Sequence, residues 1–336
     1  MSTLKVSNIE NPSTTSGGID IDTSGHVTVD GVAYPSAGSL SGRNRIINGS
    51  MDVSQRGVAF SNIDGYCLDR WYVNRAGGVS GLTAAQAYGA FSSKKNWMSL
   101  QRDSGNTSTA SAAIYQPIEG INCRDLAGTT VTISFTLGTG GTLSSTSNNV
   151  VINLFYQTTS TDIGVTGSWT LINSTSFSVA SNTGPTRYTA SFSVPSTATQ
   201  LLPTLGIAFA GTAGADDRYY ITDFQLEAGT VATPFERRSY GQELSLCQRY
   251  YQLMTSFSNS FNAPGTSESG FFNYEFKVPM RQAPTVTITS TGTTSRLSSL
   301  NVTTTGIDTV SLQAVSSSSG MVYVYGLTAA NASAEL

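Results

Sequence analysis

The feature that most constrains this chain is a period-two alternation of apolar and polar residues in short runs. In one run Tyr188, Ala190, Phe192 and Val194 occupy every second position, and Pro195 ends the run. Successive side chains of a strand point to opposite faces, so such a run predicts a half-buried β-strand. Other strands are predicted at 131–135, 151–156, 220–226, 272–278, 285–289, 309–312 and 321–325. No helical period of useful length crosses these runs, so many short antiparallel strands are predicted.

Composition supports the same fold class. Ser and Thr make up roughly a quarter of the chain, far above average usage, and there are 33 Gly. This mixture favours strands joined by tight turns. The predicted fold is therefore all-β: a jelly-roll β-sandwich with an N-terminal β arm and a small C-terminal β domain, joined by one short helix.

Charge and hydropathy exclude several classes of protein. The net charge of -3 is of the wrong sign for neutralising phosphate, so no nucleic-acid partner is expected. No apolar run approaches the roughly 20 residues of a membrane span, and the N-terminal segment does not resemble a signal peptide. We therefore expect a soluble protein that is made in the cytoplasm, without membrane insertion.

Shifts in composition divide the chain into four segments. Residues 1–42 form an arm of short β pieces and a Ser/Gly linker, with too few apolar residues for a core of its own. Residues 43–236 contain the sandwich strands, 237–254 the connecting helix, and 255–336 a C-terminal β tip domain. The arm must therefore pack on copies of itself or on another protein.

One helix is predicted from Ser239 to Met254. Ser239 can cap its first turn, and apolar residues recur at spacings of three and four. The residues of this stripe are Leu244, Cys247, Tyr251 and Met254. Two interpretations remain open: the stripe packs on its own domain, or it forms a short seam between identical chains, because the same spacing is typical of coiled coils.

Residues for catalysis are scarce. His26 is the single histidine, which leaves no Ser–His or Cys–His relay. The three cysteines are dispersed, so they indicate buried thiols and no zinc cluster, and no cofactor is expected. Asp216 and Asp217 form a weak calcium candidate, since hard cations take oxygen ligands. A polysaccharide-degrading enzyme would use two facing carboxylates, a pairing that a sequence does not reveal.

Binding of sugars is easier to support than catalysis. Aromatic rings stack on sugar rings, and short polar side chains satisfy sugar hydroxyls. We predict that Trp71 is a core residue. The predicted sugar contacts are Trp169 beside a turn, Trp97 at a rim, and Phe257 with Phe261 in a polar loop.

Two long motifs bracket the predicted sandwich. The stretches GRNRIINGSMDVSQRG at 42–57 and YCLDRW at 66–71 resemble the opening of a domain that recurs in phage tail fibres and related virion proteins. The stretches at 224–229, 233–244 and 247–251 resemble the end of that domain, and 277–286 resembles the segment C-terminal to it in such proteins. We further hypothesise that Asp69-Arg70 and Glu236-Arg237-Arg238 pair to hold the two ends of the sandwich together.

The resemblance implies a trimeric fibre subunit with a carbohydrate-binding-like sandwich. It implies a homotrimer, attachment to a tail, adaptor or baseplate protein through residues 1–42, and a distal part that meets a host surface glycan. The chain would then be a virion component, a binder and not an enzyme. Two alternatives remain: a structural capsid or tail decoration protein without receptor binding, and a polysaccharide-degrading enzyme.

Overall fold

The computed structural model describes residues 8–10, 18–21, 27–29, 32–33, 42–75, 78, 80–254, 258–290, 293–325 and 329–336. It divides into two compact units, residues 1–238 with Leu336 and residues 239–335. The described residues form strands and one short α-helix, so the predicted all-β class is confirmed.

The arm of the first unit is a four-stranded antiparallel meander in the order β1-β2-β3-β4. Its strands are β1 (Asn8–Glu10), β2 (Gly18–Ile21), β3 (Val27–Val29) and β4 (Val32–Ala33). His26 lies outside the described residues.

Twelve further strands of the first unit build the sandwich. They are β5 (Ala59–Ser61), β6 (Gly65–Tyr66), β7 (Tyr72–Asn74), β8 (Leu82–Tyr88), β9 (Asn96–Arg102), β10 (Ala112–Tyr115), β11 (Thr130–Thr139), β12 (Val150–Gln157), β13 (Thr170–Phe177), β14 (Thr186–Ser193), β15 (Gln200–Ile207) and β16 (Arg218–Ala228). Short 3-10 turns lie at Ala90–Ser92, Gly120–Asn122 and Arg124–Leu126.

These strands form two six-stranded antiparallel sheets. The front sheet has the order β13-β12-β15-β10-β7-β6, and the back sheet has the order β14-β11-β16-β9-β8-β5. From β9 to β12, and again from β14 to β16, successive strands alternate between the sheets. This is the connectivity of a jelly roll, as predicted.

The core of the sandwich lies between the two sheets and is centred on aromatic residues. The rings of Trp71 and Phe224 meet edge to face at 5.1 Å, and Phe135 stacks on Phe224 at 5.6 Å. Trp71 is fully buried, which confirms its predicted core position. Its indole nitrogen donates a hydrogen bond of 2.9 Å to the carbonyl of Asn48.

The motif at residues 42–57, called the opening motif below, is structural, because its side chains form hydrogen bonds with backbone groups. The amide of Asn48 donates to the carbonyls of Val53 and Asp69, and its oxygen accepts from the Val53 amide. Gly49 passes so close to β16 that an added Cβ would lie 2.1 Å from the Phe224 oxygen. The motif therefore fixes the path of the chain over the end of the sandwich.

The two ends of the sandwich are joined to each other. The carboxylate of Glu236 accepts from the backbone amides of Gly42 and Asn44, at 2.5 and 2.7 Å. The guanidinium of Arg238 donates to the Ile46 carbonyl at 2.9 Å. Asp69 and Arg70, which were hypothesised to pair with residues 236–238, make other contacts. Asp69 lies 3.6 Å from Arg56, and Arg70 donates to the Pro117 carbonyl.

The second unit begins with the helix, α1 (Tyr240–Gln248), which Ser239 caps. Its strands are β17 (Tyr251–Leu253), β18 (Ser258–Ala263), β19 (Ser269–Glu275), β20 (Thr285–Ser290), β21 (Thr293–Ser295), β22 (Leu297–Thr305), β23 (Thr309–Ser316), β24 (Gly320–Tyr325) and β25 (Ala329–Ser333). They form three three-stranded sheets, β17-β25-β20, β18-β24-β21 and β19-β23-β22.

Two sequence predictions for the second unit are wrong. The helix was predicted to reach Met254 but ends at Gln248, because Tyr251–Leu253 pairs with β25. Residues 255–336 hold eight described strands where three or four were predicted. The missed strands β18, β21 and β22 are rich in Ser, Thr and Asn and lack a regular apolar alternation, and β25 consists of small residues.

Candidate functional site

A row of aromatic and polar residues crosses the outer face of the front sheet. Strand pairing places Tyr66 opposite Tyr72, and Tyr72 opposite Tyr115. The row continues from Tyr115 to Thr204, and from Thr204 to Asn153. We call these five residues the aromatic row. Because neighbouring strands are about 4.8 Å apart, the row spans roughly 19 Å across five strands.

The three tyrosine rings of the row contact one another. The rings of Tyr66 and Tyr72 meet edge to face at 5.3 Å, and those of Tyr72 and Tyr115 are stacked at 6.2 Å. All three side chains are half-buried. Burial, with Asp64 as a lesser cause, raises the pKa of Tyr72, and burial, with Tyr72 as a lesser cause, raises the pKa of Tyr115. Both phenols therefore stay neutral and can donate as well as accept hydrogen bonds.

A cavity of about 220 Å³ adjoins the row at Tyr115. The side chains of Phe155 and Trp169 form its walls, together with Val165 and Gly167. The other lining residues are Leu202 and Thr204, which are buried although they point away from the sandwich core. We call this cavity with the aromatic row the front groove.

The loop that presents Trp169 is held by hydrogen bonds. The indole nitrogen of Trp169 donates to the Gly164 carbonyl at 3.0 Å. Gln200 bonds both the amide and the carbonyl of Ile163, and Gln157 donates to the Ser168 carbonyl. These bonds fix the indole before any ligand arrives, which lowers the entropic cost of binding.

The polar groups of the groove are short and uncharged. The Asn153 amide donates to the Thr204 hydroxyl at 3.1 Å, which orients both groups on the groove floor. An amide and a hydroxyl each keep further donor or acceptor capacity after one bond. The site therefore combines aromatic faces with neutral hydrogen-bonding groups.

Trp169 is the predicted sugar contact that the structure places in the groove. Trp97 is not at a rim: it is 1% exposed and packs against Phe91 and Tyr220, which corrects the prediction. The preceding Lys94-Lys95 pair was misleading, because Lys95 folds back to pair with Asp223.

Of the predicted aromatic pair of the C-terminal region, the structure describes Phe261. Phe257 lies outside the described residues. Phe261 is in β18, where its half-buried ring packs on Phe272 at 6.1 Å and helps to cover the core of the second unit. Phe261 is therefore a packing residue.

The calcium candidate is wrong because both carboxylates are neutralised by arginines. Asp217 is fully buried and pairs with buried Arg102 at 2.7 Å. Asp216 pairs with Arg218 at 2.5 Å and accepts from the Gly141 amide. Within the described ranges, no group of three or more His, Cys, Asp or Glu residues is arranged to hold a metal ion.

The predicted helix stripe does not form an exposed seam. Cys247, Tyr251 and Met254 are buried within the single chain, and Leu244 is half-buried. Met254 belongs to the core cluster of the second unit. These positions favour packing inside the unit over a seam between chains.

The cysteines are buried thiols, as predicted. Burial raises the pKa of Cys67 and of Cys123 to about 12, so both sulfurs are protonated and poor nucleophiles. No α-helix among the described residues has the length and hydropathy needed to cross a bilayer.

Tyr66, Tyr72, Tyr115 and Phe155 were not predicted as site residues. Each of the last three follows or precedes a buried aliphatic residue, for example Tyr115 after Ile114 and Phe155 after Leu154. The alternation itself therefore marks them as outward-facing, but only strand pairing brings them into one row.

Known proteins offer limited comparisons. No protein-family model matches the chain, and no curated protein matches it at a significant level. Among solved structures, a CBM4 carbohydrate-binding module is 17% identical and covers 54% of this chain and 98% of its own, with a TM-score of 0.36. A xylan-binding CBM22 domain is 16% identical over 53% of this chain and 99% of its own, with a TM-score of 0.33.

A phage protein is also among the similar structures. The enzymatically active domain of tailspike protein 4 from bacteriophage CBA120 is 12% identical and covers 55% of this chain and 21% of its own, with a TM-score of 0.35. At these identities and TM-scores the similarities decide neither the binding partner nor the biological role of the chain.

Proposed function

We propose that the front groove binds carbohydrate and that the chain is a host-attachment subunit of a phage tail fibre, which binds its target without catalysis. The observation that carries the binding proposal is the aromatic row beside the Trp169 cavity. It combines three contacting tyrosine rings with an oriented Asn153–Thr204 pair.

This combination matches the two surfaces of a sugar ring. The C–H side of a pyranose is apolar and stacks on aromatic faces, while its hydroxyls need donors and acceptors of neutral hydrogen bonds. The row crosses several strands, so an oligosaccharide can contact more than one ring. A cavity beside the middle of the row, at Tyr115 and Thr204, favours a ligand with a branch that enters it.

Replacing Tyr115 or Trp169 by Ala is expected to weaken glycan binding about tenfold or more, since each ring contributes on the order of 1 kcal/mol beyond its buried area. The measurement is a glycan array that identifies a ligand, followed by titration calorimetry with that oligosaccharide. Tyr88→Ala is the matched control, because Tyr88 is 73% exposed and lies on the back sheet.

Equal affinities of wild type, Tyr115→Ala and Trp169→Ala would refute the groove as the binding site. Loss of binding in Tyr88→Ala to the same extent would also refute it. Release of new reducing ends from the bound oligosaccharide would overturn the proposal that the chain only binds.

The fibre role is supported by an apolar face on the N-terminal arm. Pairing across β1, β2 and β3 places Ile9, Ile19 and Val29 side by side, and Ile21 opposite Val27. These five residues share one face of the meander, where Ile9 and Ile19 are 56% and 38% exposed. Asp20 and Thr28 lie on the other face. An isolated meander of such short strands is marginally stable, so packing between copies would stabilise it.

We therefore expect the intact chain to form a trimer with three times its mass of 35.3 kDa. Ile19→Lys is expected to dissociate it, because the substitution buries a charge in the apolar face. Mass photometry at nanomolar concentration measures both states. Asp20→Lys, on the opposite face of the same strand, is the matched control and is expected to stay trimeric.

A wild-type monomer, or equal dissociation by Ile19→Lys and Asp20→Lys, would contradict this assembly. In the proposed virion, residues 1–42 attach to a tail, adaptor or baseplate protein. Three grooves on one fibre raise the avidity for a repetitive host glycan above that of a single groove.

A further inference from the structure

The second unit presents a sheet face with one exposed aromatic ring. Phe271 lies on the outer side of the sheet β19-β23-β22 and is 66% exposed. Its neighbour Phe272 points inward and belongs to the core cluster. Gly270 admits the Phe261 ring beneath the strand, since an added Cβ would lie 2.5 Å from that ring. The backbone that carries Phe271 is thus packed firmly from below.

Amide and hydroxyl groups surround this ring. Pairing places Gln313 opposite Phe271, with Asn301 opposite Gln313 on the far strand. Gln313 donates to the Ser269 hydroxyl at 2.9 Å, and the Ser311 hydroxyl donates to Asn273 at 2.7 Å. These cross-strand bonds hold the side chains in fixed positions on the surface.

The face is nearly uncharged. Glu275, at the end of β19, is the one charged residue in the three strands β19, β22 and β23. A charged partner would find at most one opposite charge on this surface, Glu275, whereas a neutral, hydroxyl-bearing ligand matches it. A protein partner would ordinarily meet more apolar area than one phenyl ring supplies.

We propose that this face, centred on Phe271 and bounded by Asn273, Gln313 and Asn301, is a second saccharide-binding site for neutral glycans. It is separate from the front groove and does not depend on it, because its residues belong to the other compact unit. Phe271 supplies the stacking surface, and the amides of Asn273 and Gln313 bond the hydroxyls at the ring's edge.

The test uses the full-length chain in which the front groove is disabled by Tyr115→Ala with Trp169→Ala. This variant is applied to an array of neutral oligosaccharides and their uronic-acid or sialic-acid counterparts. It is expected to retain weak binding to neutral glycans, and adding Phe271→Ala is expected to lower that binding about tenfold. Phe271→Tyr, which keeps the ring, is expected to restore it.

Met321→Ala is the matched control, because Met321 is 53% exposed on a different sheet of the same unit. Absence of any neutral-glycan binding in the groove-disabled chain would overturn the second site and leave the front groove intact. Unchanged residual binding in Phe271→Ala would also overturn it. A change of oligomeric mass caused by Phe271→Ala would assign the face to contacts between copies and likewise overturn the proposal.

Discussion

Asp217→Ala is expected to lower the free energy of unfolding of the sandwich by about 3–5 kcal/mol, the cost typical of breaking a buried ion pair on one side. Asp217 and Arg102 are both fully buried, and their closest atoms are 2.7 Å apart. The remaining guanidinium would keep its bonds to the Ser108 and Ala210 carbonyls but would lose its counter-charge. The positive charge would then stay buried without compensation.

Urea unfolding followed by tryptophan fluorescence measures this loss. All three tryptophans lie in the first unit, so the signal reports the sandwich. Asp216→Asn is the matched control: its pair with Arg218 is partly exposed, and exposed pairs contribute about 0–1 kcal/mol. The double variant Arg102→Met with Asp217→Leu is expected to recover most of the loss, because it removes both charges. A loss of unfolding free energy in Asp217→Ala that is smaller than the loss in Asp216→Asn would contradict this account.

Trp71→Ala is expected to destabilise the sandwich by about 3–5 kcal/mol, the range for removing a large aromatic from a core. The indole is fully buried, contacts Phe224, and donates to the Asn48 carbonyl. Its removal leaves a cavity where the opening motif meets β16. Trp71→Phe is expected to lose less, because it keeps most of the ring contact and forfeits the hydrogen bond.

Denaturant midpoints from circular dichroism measure both substitutions without depending on the removed fluorophore. Tyr88→Ala, at an exposed position of the back sheet, is expected to change the unfolding free energy by less than about 0.5 kcal/mol. Equal midpoints for Trp71→Ala and Tyr88→Ala would show that Trp71 does not hold the motif to the core.

Four of the twelve sandwich strands, β11, β12, β14 and β16, were predicted, because their alternation is regular. In β14 and β11, apolar residues such as Phe192 and Phe135 face the core while Ser and Thr face outward, which is the signal that period-two analysis detects. The strands of the second unit were also only partly predictable. In β22 the apolar positions are interrupted by two register shifts, so the period is lost within a single strand.

The front groove was only partly predictable. Trp169 stood out as an aromatic beside a turn, and the structure places it in the groove wall. The tyrosine row depends on pairing between strands that are far apart in the sequence, such as Tyr72 with Tyr115 and Tyr115 with Thr204. Such pairing is set by tertiary packing, and a single strand contains no information about its neighbours.

The ionic contacts were the least predictable part of the chain. Asp216 and Asp217 are adjacent in the turn before β16, yet Asp216 is partly exposed and pairs with Arg218, whereas Asp217 is buried and pairs with Arg102. Lys95, two residues before Trp97, pairs with Asp223 over a distance of 128 positions in the sequence. Long-range pairs of this kind leave no local pattern.

The hydrogen bonds that join residues 42–46 to Glu236 and Arg238 have an evolutionary consequence. They bring the point where the chain enters the sandwich next to the point where it leaves. A domain with adjacent termini can be exchanged for another of different specificity by recombination at its two ends, while the flanking segments keep their own fold. The segments 42–57 and 233–244 are then boundaries at which such an exchange preserves the stabilising contacts.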